Sequence, residues 1–181
     1  MDGSADLFLV VGCTGAGKTT YARRLAEELG GLRFSIDEWM MALFWADSPQ
    51  PIEFAWTMER VERCEAQIFA IARQAAERGV PCILDLGFTR KDHRAKFRAL
   101  ADEAGLSAIV HFVDVPADER WFRVDRRNKE RGETYAMQVD REMFDFMEGL
   151  WQPPAEAEWS ANGGKRIDGS GIIRAPRQQV E

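Results

Sequence analysis

The chain is poor in the residues that build disulfide frameworks and metal clusters. It has three cysteines and two histidines in 181 residues. Cys13, Cys64 and Cys82 form no Cys-x-x-Cys pair, and His93 and His111 have no Cys or His at ligand spacing. No Ser-His-Asp arrangement is in view either. An odd, scattered set of thiols fits a reducing cytosol, so a cytoplasmic protein is expected. Long apolar runs are also missing. The first such run is only Leu7 to Val11, and Asp2 and Asp6 stand where a signal peptide would be basic. Neither a membrane partner nor a secretory leader is expected. Positive charge is in deficit: the net charge is −6 and the pI about 5.1. A whole-molecule attraction to nucleic acid is therefore not expected. What remains is a globular composition, 45% hydrophobic and 30% charged, in a length that suits one domain over 1–181.

One segment stands out from this background. Gly12-Cys13-Thr14-Gly15-Ala16-Gly17-Lys18-Thr19 is a complete phosphate-binding loop pattern, followed by Thr20. An apolar run, Leu7 to Val11, precedes it and reads as a buried strand. An amphipathic helix follows, with Ala22, Leu25, Ala26 and Leu29 at i, i+3, i+4 and i+7. The glycines let successive N–H groups turn inward toward a phosphate, and the helix N-terminus adds its positive end. Lys18 is placed to reach the β- and γ-phosphates, and the Thr19 hydroxyl to ligand Mg²⁺. Cys13 reads as a small filler whose backbone is in use, with a redox-sensitive thiol as the alternative.

Strand and helix patterns alternate along the chain, which argues for an α/β domain with a mostly parallel sheet. Leu32 to Ile36 reads as the second strand, ending at Asp37. An aromatic segment from Trp39 to Trp56 is interrupted by Pro49 and Pro51. A long helix is predicted over about 53–78, with Val61, Cys64, Ile68, Ile71 and Ala75 inward. Val80 to Asp85 reads as the third strand, and Asp92 to Ala104 as a helix. Ala108 to Val113 is the fourth strand, followed by a helix from Pro116 to about Arg131 that Gly132 breaks. A further helix carries Val139, Met143, Phe146, Met147 and Leu150. Lys165 to Asp168 reads as a short fifth strand, before a tail at about 169–181 expected to fray.

Three features carry chemistry beyond the loop. Asp37 and Asp85 end two strands at the edge where parallel sheets bind ligands. Asp37 suits a base or substrate ligand; the rival reading is a helix cap, since Ser35 and Glu38 have capping-box spacing. Asp85 ends Cys82-Ile83-Leu84 in the pattern of a carboxylate that holds Mg²⁺, or it forms a turn before Gly87. Arg120, Arg123, Arg127 and Arg131 fall at i, i+3, i+7 and i+11, a row of guanidinium groups suited to phosphate, or else a solvated charged face. The aromatic residues Trp39, Phe44, Trp45, Phe54 and Trp56 suit a pocket wall for a ring-bearing acceptor, with core packing the favoured reading for most of them.

With these residues in place, the chain resembles the small P-loop kinases of the zeta-toxin, chloramphenicol-phosphotransferase and polynucleotide-kinase type. The resemblance runs from about Leu7 to Glu158. It rests on the loop at 12–20, on Ser35-Ile36-Asp37 and on Ile83-Leu84-Asp85. It rests also on Phe112 to Pro116 followed by Arg123-Val124-x-x-Arg127-Asn128. The resemblance implies a five-stranded parallel sheet in the order 2-3-1-4-5, an acceptor-side helical segment at about 38–60 and a lid at about 118–136. It implies ATP and Mg²⁺ as the bound groups, the former through Gly12, Thr14, Gly15, Ala16, Gly17, Lys18, Thr19 and Thr20. Lys18, Asp37, Arg123 and Arg127 are then the expected catalytic residues, with Asp37 as general base and the two arginines as lid clamps. Thr19 and Asp85 serve the metal. The expected activity is transfer of the γ-phosphate of ATP to a hydroxyl of a small molecule. A nucleotide-dependent switch and a kinase of nucleic-acid ends are the alternatives. The Trp-rich segment departs from the family members it otherwise resembles, which leaves the acceptor open.

Overall fold

The computed structural model describes residues 5–130 and 138–169. Arg131, Gly132, the lid positions up to 136 and the tail beyond Gly169 lie outside the described residues. Five strands, β1 (Leu7–Val11), β2 (Leu32–Ser35), β3 (Cys82–Asp85), β4 (Ala108–Asp114) and β5 (Lys165–Asp168), form one sheet. Its order is β2-β3-β1-β4-β5, and every pairing is parallel. This is the order that the resemblance implies. Among the described residues seven α-helices accompany the strands: α1 (Lys18–Leu29), α2 (Ile36–Phe44), α3 (Phe54–Ala76), α4 (Lys91–Glu103), α5 (Ala117–Glu130), α6 (Arg141–Leu150) and α7 (Glu156–Trp159).

The parallel sheet is covered on both faces, which explains why its central strands read as continuous apolar runs. Side chains alternate along β1. Leu7, Leu9 and Val11 join Leu84, Val110 and Phe112 against Cys64, Ile68, Ala72 and Ala76 of α3 and Phe97 of α4. On the other face Val10 joins Ile83 and Val113 against Tyr21, Ala22 and Leu25 of α1. Arg94 is fully buried beside this core. Its guanidinium meets both oxygens of Glu158, at 3.0 and 3.2 Å, and the carbonyls of Phe88 and Gln152. A buried cation needs such full pairing, and here it ties α7 to α4.

Several expectations need correction. The second strand stops at Ser35, because Ser35 caps α2 by accepting from the Glu38 N–H, so Ile36 and Asp37 lie in the first turn of a helix. Leu29, at the last position of α1 before the Gly30 cap, is 40% exposed. Of the aromatic segment, Trp39 and Phe44 pack on the core, but Trp45 and Phe54 are exposed. The inward face of α6 differs from the predicted stripe: Met143, Phe146 and Leu150 are exposed, whereas Phe144 is buried. Asp140 caps α6 by accepting from the Met143 N–H, so Val139 precedes the helix and lies outside its period. Val139 and Phe144 then cluster as a hydrophobic staple beside Val124.

His111 is a buried core residue on β4, joined to the Tyr21 hydroxyl at 2.8 Å. Burial, with a smaller contribution from Lys165, pushes its imidazole down to about 4. The unfolded chain therefore binds the extra proton first. The contribution is absent as a penalty at neutral pH and grows as pH falls from about 6.5 toward 4, reaching about 3 kcal/mol. Denaturant unfolding at pH 7 and pH 5 should show this loss, and the His111→Gln variant should show a flatter dependence. An equal slope in both proteins would remove His111 from the account.

Candidate active site

The phosphate-binding loop connects β1 to α1, at the C-terminal edge of the sheet. Its glycines answer close packing as well as curvature. A Cβ on Gly12 would lie 2.7 Å from the Val113 carbonyl oxygen. Gly15 has φ +81°, and a Cβ there would lie 2.6 Å from the Arg120 carbonyl oxygen. The loop thus rests directly on β4 and α5. Gly17 is the N-cap of α1 and offers no side-chain cap, and the first turn holds no acidic residue. By contrast, α2 starts with the Ser35 cap and with Asp37 and Glu38 in its first turn. The first N–H groups of α1 are therefore left for an outside anion, which suits a phosphate.

Around this turn the structure places most of the residues singled out by sequence. Lys18 Nζ donates to the Cys13 carbonyl at 3.1 Å, so the ammonium spans the loop. Thr14 and Thr19 are half-buried, Ala16 is buried and Thr20 is exposed. Asp85 ends β3 in register with Ser35 of β2. Its carboxylate is 5% exposed. Burial pushes the Asp85 carboxyl above the usual range, while Lys18, a hydrogen bond from Thr19 and Arg33 oppose the rise, and the charge of Asp37 adds to it. Lys18, Thr19, Asp37 and Asp85 therefore share one small region. Asp37 itself is exposed on the first turn of α2.

The donor set near Asp85 fits a magnesium ion carried on phosphates. Magnesium takes hard oxygen ligands and commonly keeps only one or two from the protein. Thr19 offers a hydroxyl and Asp85 a buried carboxylate whose ionised form a cation would favour. Among the described residues no group of three or more His, Cys, Asp or Glu could hold a metal by itself.

Arg33 escaped the sequence reading. It lies 3.3 Å from Asp85 Oδ2 and also pairs with Glu38, which Arg23 meets at 3.2 Å. Strand alternation alone could have placed Arg33 on the α1 face, opposite to buried Phe34, but not beside Asp85. Glu148 of α6 was missed too. It accepts from Arg120 at 2.5 and 2.7 Å and from Cys13 Sγ at 2.8 Å. Burial and Glu148 push the Cys13 thiol up to about 11, which suits a filler rather than a redox-sensitive thiol.

The arginine row is split by its surroundings. Arg120 and Arg123 are buried and reach the loop from α5 through main-chain carbonyls. Arg120 Nη1 donates to Thr14 at 3.2 Å, and Arg123 Nη1 to Ala16 at 3.3 Å. Arg123 also donates to the Gly169 carbonyl at 3.0 Å and pairs with Glu119. These bonds hold both side chains against the main chain of the loop. Arg127, one turn further along α5, is half-buried.

A parallel sheet in the order 2-3-1-4-5, with a phosphate-binding loop after its central strand, defines the fold of the small P-loop kinases. The chain belongs to the AAA domain family, whose model matches residues 7–154. No curated protein sequence matches it. Among solved structures, a chain of the Pnkp1/Rnl/Hen1 RNA repair complex is similar at 19% identity and a TM-score of 0.64. The match covers 81% of this chain, which spans 44% of that one. Chaetomium thermophilum Kti12, in complex with ADP-AlF3, is similar at 18% identity and a TM-score of 0.67, covering 90% of this chain and 88% of that one. A sugar kinase from a Janibacter species is similar at 18% identity and a TM-score of 0.63, covering 92% and 86%. These likenesses establish the fold. No helix among the described residues is long and apolar enough to cross a membrane.

Proposed function

We propose that the protein is an ATP-dependent phosphotransferase that moves the γ-phosphate of ATP to a hydroxyl of a small molecule. The observation that carries this reading is the meeting of Lys18, Thr19, Asp37 and Asp85 at one edge of the sheet, next to an uncapped helix start. The loop at 12–20 binds the phosphates through its N–H groups and Lys18. Thr19 and Asp85 would hold Mg²⁺, which would supply charge neutralisation to the phosphates. Asp37 takes the proton of the acceptor hydroxyl. The hydroxyl oxygen then bonds to the γ-phosphorus as the bridging P–O bond breaks, and ADP leaves. Arg127 is the arginine assigned to the transferring charge. Arg123 contributes from behind the loop, through its bond to Ala16. The helical segment at about 38–60 receives the acceptor.

Two comparisons support parts of this reading. Kti12 holds ADP-AlF3 on the same fold, and the Janibacter protein is a sugar kinase. The likeness to an RNA repair complex chain favours a nucleic-acid acceptor, but the net charge of −6 opposes it.

The test is ATP turnover measured with Mg²⁺ present, alone and with pools of sugars, nucleosides and oligonucleotides. Stimulation by a hydroxyl-bearing small molecule, with phosphate recovered on that molecule, is the expected result. Stimulation by oligonucleotide ends alone would transfer the reading to nucleic acid. Clear nucleotide binding with no stimulated turnover would favour a switch instead.

A further inference from the structure

We infer that Arg120, Arg123 and Glu148 are positioning residues that hold the phosphate-binding loop in its anion-binding shape from behind. The inference rests on the nucleotide reading above and assigns these side chains a role distinct from a lid clamp. Its physical basis is the obligatory pairing of main-chain groups. A loop that turns its N–H groups inward must turn its carbonyls outward, and buried carbonyls need donors. Three of the loop carbonyls have side-chain donors. Lys18 serves Cys13, Arg120 serves Thr14 and Arg123 serves Ala16.

The two arginines are themselves held. Arg120 Nε donates to the Val115 carbonyl at 2.8 Å, and its other nitrogens grip Glu148 as a two-pronged fork. Such forks fix orientation as well as distance. Arg123 is fixed by Glu119 and by the Gly169 carbonyl. Glu148 adds a bond from Cys13 Sγ, so one carboxylate on α6 touches both the loop and its support. Arg120 keeps the Glu148 carboxyl below the usual range, so the fork stays charged at neutral pH. The consequence is a cradle shaped before its ligand arrives, with two guanidinium charges behind it. Loss of the fork should cost affinity for the triphosphate more than it costs the chemical step.

The experiment uses the full chain and two variants, Glu148→Gln and Arg120→Lys. Both keep polar groups in place but break the charged fork. Binding of ADP and of ATP, KM for ATP, kcat and Tm are measured for each. The expected result is affinity weakened about tenfold and KM raised in step, with kcat changed less. A second readout is local to the loop. Alkylation of Cys13 by iodoacetamide, followed peptide by peptide against pH, should move to lower pH in Glu148→Gln, because Arg120 then faces the thiol alone. Cys64 and Cys82 serve as internal references, since general loosening would raise all three. Wild-type protein that binds neither ADP nor ATP would refute the nucleotide reading itself. Wild-type binding with both variants within twofold would overturn the positioning role. A lower Tm at unchanged KM would overturn it as well.

Discussion

Lys18→Ala is expected to lower phosphoryl transfer by about a thousandfold, the scale seen when a fixed donor to developing charge is removed. The ammonium sits at the mouth of the loop, bonded to the Cys13 carbonyl at 3.1 Å. On binding a triphosphate it exchanges one neutral acceptor for anionic oxygens. A hydrogen bond to a charged partner contributes about 1.5–3 kcal/mol, so nucleotide affinity should fall roughly 10- to 100-fold. The fold itself should change little, because Lys18 makes one bond to a carbonyl on a half-exposed position. Calorimetric titration with ADP, alongside thermal unfolding, separates these effects. Retained affinity and turnover in a folded variant would end the reading of this turn as a phosphate site.

Asp37→Asn should separate chemistry from binding. Asp37 is exposed on the first turn of α2 and is not part of the loop backbone assigned to the nucleotide. A positioned base contributes about 10²–10⁴ in rate, and the amide cannot take the hydroxyl proton. Acceptor-dependent turnover should fall by that range while ADP affinity stays within about twofold. The lost interaction with the α2 N-terminus is about 0.3–1 kcal/mol, too small to unfold the domain. Full turnover in Asp37→Asn would assign the proton to another group.

How much of this was legible in the chain depends on the distance over which each feature is specified. The run Leu7 to Val11, the glycines at 12, 15 and 17 and the helix start at Lys18 are contiguous, and their pattern carries its own geometry. The strands at 82–85 and 108–114 could also be read, because a sheet buried on both faces demands apolar runs, whereas the exposed edge strand at 165–168 carries no such run. The strand order came with the resemblance rather than with any local signal. Boundaries were harder. Ser35 ends β2 through a cap bond to the Glu38 N–H, and that bond moves Asp37 from a strand end to a helix turn. The face of α6 was misread because Asp140 delays the helix start past Val139.

Sequence by itself determined the loop, the alternation of strands and helices, and the residue types available for phosphate, metal and proton. Those are set by neighbours in the chain, where periodicity and turn chemistry act. Tertiary structure alone decided where the arginines lie. Arg120 and Arg123 look equivalent to Arg127 along one helical row, yet Thr14, Ala16 and Glu148, far away in sequence, draw the first two beneath the loop. A guanidinium can donate to a phosphate or to a carbonyl, and which of them lies within hydrogen-bond reach is set by packing between segments distant in the chain.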